Sequence, residues 1–210
     1  TVAPPPPPPP AALDLAAGFD ALASADAWQA LATAWQLGPV DGDLCEVARA
    51  HRPQCFRRVN GTLALIRQLD RPAILSLRDG SEHSAQLLVT GLSERSATVI
   101  VDGKPRTVAL SVLADYWRGD FVTLWRMPDG YSGRIDLRPS TPTAGWLAAQ
   151  LAKVRGTALQ AQPDAATLRA WIASFQTAQG LPADGVPGAI TLMQLNRATG
   201  VEEPRLAKGS

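Results

Sequence analysis

Apolar positions recur every three or four residues from Ala11 to Gln36: Leu13, Ala16, Ala17 and Phe19, then Trp28, Leu31, Ala32 and Trp35. That spacing predicts helix, with Ser24 or Asp26 as an N-cap and Leu37-Gly38-Pro39 as the end of the run. A shorter helix is expected from near Asp43, carrying Leu44, Cys45, Val47 and Ala48. Another is expected after Asn60 as its cap, with Leu63, Leu65, Ile66 and Leu69. Beyond Arg71-Pro72 the period shortens to that of strands. Residues 73–77, 86–90 and 97–101 read as three strands, separated by turns at Asp79-Gly80, Gly91 and Asp102-Gly103. Residues 107–110 suggest a short fourth strand, 110–117 a brief helix and 121–126 a final strand. Helices followed by an antiparallel meander define an α+β domain, closing near Met127-Pro128-Asp129-Gly130.

The second half returns to helical spacing. Residues 131–142 read as a Gly/Pro/Ser-containing connector, and Gly145 to Val154 as a helix. Asp164 is expected to cap a longer helix carrying Leu168, Trp171, Ile172 and Phe175. Gly180 is suited to end it. Asp184-Gly185 is a turn pair, Gly188 is read as allowing close backbone approach, and a last helix is expected from near Thr191 to Ala198. The run Pro4–Pro10 predicts extended polyproline II, a semi-rigid spacer. The organisation read from these patterns is a Pro-rich linker (1–13), an α+β domain (14–130), a connector (131–142), a three-helix domain (143–200) and a tail (201–210).

Charge and composition remove several classes. A net charge of +1 over 210 residues provides no basic field for nucleic acid. No apolar run approaches the ~18 residues a membrane span requires. The abrupt start, TVAPPPPPPP, is read as an excised fragment or mature region. His51 and His83 are the only histidines and lie far apart, so no metal-ligand spacing occurs and no cofactor is expected. Nor do the acids form a recognisable glycosidase pair. Two cysteines, Cys45 and Cys55, suit an oxidising compartment, and their separation permits loop closure.

The stretch Phe175-Gln176, Gly180-Leu181, Asp184-Gly185, Gly188 and Thr191 resembles the signature of the small helical peptidoglycan-binding domain of bacterial wall enzymes. The resemblance implies a site in which the loop 184–191 supplies backbone amides and Gln176 and Thr191 supply polar side chains. Asp184, Gly185 and Gly188 would shape that loop, and Thr191 has the alternative of capping the last helix. Phe175, Leu181 and Leu195 are expected in the core. Trp171 either stacks on a sugar face or packs against the first domain.

The order Cys45, His83, Asp102 raises a second possibility, a cysteine peptidase with nucleophile, base and orienting carboxylate. The layout resembles the papain-like peptidase domain that processes bacteriocin leaders at double-glycine sites. Each motif departs from that family: Glu46 stands where glycine follows the cysteine, the base position falls near Ala85, and Gly103 replaces proline. The resemblance therefore points to a catalytically dead relative, with Cys45 joined to Cys55. A wall-tethered peptidase using Cys45, His83 and Asp102 is the alternative.

Taken together, the chain resembles the periplasmic part of the general secretion pathway protein A (ExeA) family. The residues carrying this are Cys45 and Cys55, Asn60-Gly61, Asp70-Arg71-Pro72-Ala73, Trp117-Arg118-Gly119 and Leu124-Trp125-Arg126-Met127-Pro128, with the C-terminal signature. Members of that family carry a cytoplasmic ATPase domain and one membrane helix upstream. No GxxxxGK[ST] phosphate loop occurs in this sequence. The resemblance implies a periplasmic, non-catalytic module of type II secretion that binds peptidoglycan, works with a B-type partner protein and helps the outer-membrane secretin assemble. A third possibility is that the old substrate cleft holds a partner's peptide.

Overall fold

Two compact units divide the chain: residues 1–51, 55–124 and 204–210 form the first, residues 52–54 and 125–203 the second. The computed structural model describes residues 10–23, 26–81 and 83–208. Most of the proline run, and Ser24, lie outside the described residues.

The first unit opens with a two-residue strand, β1 (Ala11–Ala12). Helices α1 (Leu15–Ala23), α2 (Ala27–Ala34) and α3 (Leu44–Ala50) follow. The expected helical run thus begins four residues late, because Ala11 and Ala12 pair in parallel with a later strand. Asp26 caps α2, its carboxylate accepting the Gln29 N–H at 2.7 Å. Asp43 does the same for α3 through the Cys45 N–H at 2.8 Å. Strand β2 (Pro53–Arg58) then precedes helix α4 (Leu63–Leu69). The cap of α4 is Thr62, whose hydroxyl accepts the Leu65 N–H at 3.1 Å. Asn60, the expected cap, instead takes a left-handed conformation at φ 52°.

Four strands form the meander: β3 (Ala73–Arg78), β4 (Ser84–Leu92), β5 (Ser96–Val101) and β6 (Lys104–Ala109). Helix α5 (Leu110–Tyr116) leads into the long strand β7 (Trp117–Arg126). A final strand, β8 (Ala207–Lys208), pairs in parallel with β4. The sheet order is β1-β6-β5-β4-β3-β7-β2. Ile74, Leu88 and Ile100 stand opposite one another in register. Against Ile74 and Leu88 pack Leu31 and Ala32 of α2, Trp35 at its C-cap, and Leu44 and Ala48 of α3. Alternate residues Leu75, Leu87, Val89 and Val99 are also fully buried. Both faces of the central strands are therefore covered, which explains their near-continuous apolar runs.

Three helices belong to the second unit: α6 (Pro142–Val154), α7 (Ala165–Ala178) and α8 (Ala189–Thr199). Thr141 caps α6, starting it three residues before the expected Gly145. Asp164 caps α7, accepting the Thr167 N–H at 2.7 Å. Leu147, Leu151, Leu168, Ile172, Phe175, Leu192 and Leu195 are buried, and Leu181 is half-buried. Among the described residues no helix is long and apolar enough to cross a membrane.

Candidate functional site

The loop between α7 and α8 is organised by one buried side chain. Gln176 ends the buried face of α7 at 2% exposure. Its Oε1 accepts the Gly185 N–H at 2.9 Å. Its Nε2 lies 2.8 Å from Asp184 Oδ1, 3.0 Å from the Val186 carbonyl and 3.2 Å from Thr191 Oγ1. Two hydrogens thus serve three acceptors. The backbone completes the frame: Leu181 N–H returns to the Gln176 carbonyl at 2.8 Å, and Gly180 N–H to that of Thr177 at 3.0 Å. That pair of bonds is a Schellman stop. Asp184 Oδ1 also accepts the Val186 N–H at 2.8 Å. The bonds from Val186 and Gln176 hold the Asp184 carboxyl below the usual aspartate range.

Several expectations are revised by this geometry. Gln176 and Thr191 are buried and committed to the loop's own bonding. Thr191 does not cap α8; Gly188 does, its carbonyl accepting the Leu192 N–H at 3.0 Å. Nor does Gly188 mark a close approach, since a Cβ there would meet nothing within 4 Å. The tight position is Gly185, at φ +68° with a Cβ site 3.2 Å from the Arg169 carbonyl. Trp171 is half-buried, and one face of its ring carries the Arg155 guanidinium 4.9 Å from the centroid.

What the loop presents outward is Val186, 57% exposed, with Asp184 and Gly188 also exposed. Beside it opens a cleft of about 670 Å³ lined by Ser132, Arg134, Ile135, Asp136, Leu137, Arg169, Gly185, Val186 and Pro187. Buried Ile135 anchors the 132–137 wall between the exposed side chains of Arg134 and Asp136. This wall escaped the sequence reading, because residues 131–142 have the composition of a connector and no periodicity.

In the first unit the Cys45–His83–Asp102 triad does not assemble. Cys45 is joined to Cys55, with Cα atoms 5.4 Å apart. Arg57 Nη2 lies 3.2 Å from its sulfur. His83 Nδ1 pairs with Asp79 Oδ2 at 3.0 Å. Asp102 sits in the β5–β6 turn at φ 51°, followed by Gly103 at φ 69°, the turn geometry of a tight hairpin. Ala85, at the family's base position, is buried opposite Leu77. A groove of about 560 Å³ lies between α2 and the β4–β5 face, with Ala30, Ala34, Leu88 and Ile100 as its apolar lining and Asp26 and Asp102 among its polar residues. Among the described residues no cluster of metal-ligating side chains occurs.

No family model matches the chain. The fold is similar to that of a solved structure, "a periplasmic domain of the EpsAB fusion protein of the Vibrio vulnificus type II secretion system". The TM-score is 0.57 with 20% identity, over 89% of this chain and 83% of that one. By architecture the chain is therefore of the same mixed α+β class as that domain. In sequence it is 31% identical over 153 residues to "General secretion pathway protein A" of Aeromonas hydrophila, covering 70% of this chain and 27% of the relative. It is 29% identical over 166 residues to "Putative general secretion pathway protein A" of Escherichia coli (strain K12), covering 77% and 33%. The chain belongs to the general secretion pathway protein A family. It spans about a third or less of the length of these curated relatives.

Proposed function

We propose that this chain is a periplasmic, non-catalytic module of type II secretion that binds peptidoglycan and, with a B-type partner protein, helps the secretin assemble through the cell wall. The reading takes its first unit as a degenerate papain-like peptidase fold and its three C-terminal helices as a peptidoglycan-binding domain. The observation that carries it is the loop Asp184–Gly188, locked by buried Gln176 and opening on the 670 Å³ cleft. A shallow polymer site needs a rigid edge, an apolar contact and polar groups beside it. Here Val186 is the apolar contact, and Gly188 leaves the first N–H groups of α8 without a side-chain cap. The neutral acetamido groups of the wall accept such donors.

Purified sacculi test the reading. Wild-type chain is expected to co-sediment with them, and Gly188→Trp, which meets open space and folds, to co-sediment less. Full retention of the folded variant would remove the loop from the contact.

Peptidase activity is not expected, since the disulfide consumes the thiol that attack on a peptide requires. Cys45-dependent cleavage of double-glycine peptides would reverse that assignment. The apolar groove of the first unit favours a second role there, seating an extended peptide of the B-type partner along β4 and β5. Ala30→Trp fills that groove and is expected to weaken capture of the B-type partner without affecting wall binding.

A further inference from the structure

Two arginines line the cleft beside the loop, Arg134 in the 132–137 wall and Arg169 on α7 behind Gly185. Both side chains are exposed, and neither has a hydrogen-bonding or carboxylate partner among the described residues. The one carboxylate lining the cleft, Asp136, is already engaged: Arg138 Nε lies 2.6 Å from its Oδ2, and the Arg138 N–H lies 3.0 Å from its Oδ1. That pairing lowers the Asp136 pKa and keeps it charged and spoken for. Asp184 likewise spends Oδ1 on Val186 and Gln176, and it does not line the cleft. The cleft therefore holds two unneutralised positive charges between apolar surfaces supplied by Ile135, Val186 and Pro187.

We infer that this cleft recognises a free carboxylate of the wall's stem peptide, gripped by Arg134 and Arg169. The inference deepens the wall-binding reading and rests on it. The sugar backbone of peptidoglycan with its stems attached offers hydroxyl and acetamido groups, which do not call for paired guanidiniums. The stem peptides carry the carboxylates, and the planar fork of arginine matches a carboxylate with two parallel N–H bonds. Like charges that share one cleft are also relieved by an anion bound between them. The glycan is then the scaffold, and the stem supplies the chemical discrimination.

The test titrates the full chain with three probes: a disaccharide-tetrapeptide with free carboxylates, the same molecule with its carboxylates amidated, and a chitooligosaccharide, which carries acetamido groups and no carboxylate and is expected to bind weakest. Calorimetry reads the dissociation constants. The free acid is expected to bind tightest, with affinity falling as salt rises. Each of Arg134→Gln and Arg169→Gln is expected to weaken it about tenfold, the usual scale of a charge-assisted hydrogen bond. The amidated probe is expected to bind wild type and the R134Q/R169Q double variant alike. The Lys double variant retains charge without the fork and is expected to fall between. Equal binding of the free acid by wild type and R134Q/R169Q overturns the carboxylate assignment and leaves wall binding standing. Failure of wild type to bind any probe or intact sacculi overturns wall binding, and this inference with it.

Discussion

The N–H of Gly61 donates to the carbonyl of Gly119 at 2.8 Å, bringing together two segments nearly sixty residues apart. Neither residue has room for a side chain. A Cβ on Gly61 would sit 2.5 Å from Phe121 Cε1, and one on Gly119 would sit 2.7 Å from the Gly61 carbonyl oxygen. Gly119 also adopts φ +103°, a conformation closed to other residues. Gly119→Ala is therefore expected to destabilise the first unit by about 3 kcal/mol or more, from backbone strain added to a backbone clash. Gly61→Ala, which displaces a ring, is expected to cost about 1–3 kcal/mol. Urea denaturation measures both, and wild-type stability of Gly119→Ala would refute the contact.

Replacing Gln176 tests whether the loop is framed from within. Gln176→Leu keeps the bulk but leaves the buried Gly185 N–H without its acceptor. The expected cost is about 1–3 kcal/mol for one stranded donor. Gln176→Glu is expected to do more damage, because it places a second carboxylate against Asp184. Thermal unfolding reads the stability and sacculus co-sedimentation reads the consequence. A Leu variant that is fully stable and binds normally argues against a framing role.

The disulfide ties α3 to β2, an edge strand. Cys45→Ser with Cys55→Ser is expected to lower stability by about 2–3 kcal/mol, the value for a loop of this length on the chain-entropy model. Thiol titration of the unreduced protein is expected to find none, since the structure contains no free cysteine. Two reactive thiols would reopen the peptidase alternative.

Acid is expected to loosen the signature loop through Asp184. Its pKa is depressed in the folded chain by the bonds from Val186 and Gln176. Such a group contributes stability above its unfolded value, ~3.9 for aspartate, and loses it as the pH falls through the lower folded value. The Val186 amide resonance should therefore titrate with a midpoint below that of an ordinary aspartate. Asp184→Asn should abolish the transition, and a midpoint at or above the ordinary value would count against the bond.

Legibility differed by element for physical reasons. Strands β3 and β5 were readable because Ala73–Leu77 and Ala97–Val101 are apolar runs bounded by turn residues. Gly91, expected as a turn, instead lies within β4, where it pairs with Thr98 and Ala207, and β6 starts at Lys104, three residues before the expected strand. Helices α3 and α7 announced themselves through Asp43 and Asp164, whose side chains act within three residues. Strand β2 gave no such signal: Pro53, Arg57 and Arg58 interrupt any alternation, and the strand is held by pairing with β7. The cap of α4 was misread because Asn60 and Thr62 are both good caps. The close approach of Gly61 to Gly119 puts Asn60 in the left-handed region and leaves the helix start to Thr62.

Local sequence, by itself, determined the starts of α2, α3 and α7, the hairpin turn at Asp102-Gly103 and the chain stop at Gly180. These depend on interactions over a few residues, where spacing is structure. Only the tertiary fold decided that Gln176 and Thr191 point inward, that Cys45 meets Cys55 and has no imidazole partner, and that Arg134 and Arg169 face one cleft. Those outcomes depend on which surfaces are buried against each other, and burial is a property of the assembled chain that no local pattern encodes.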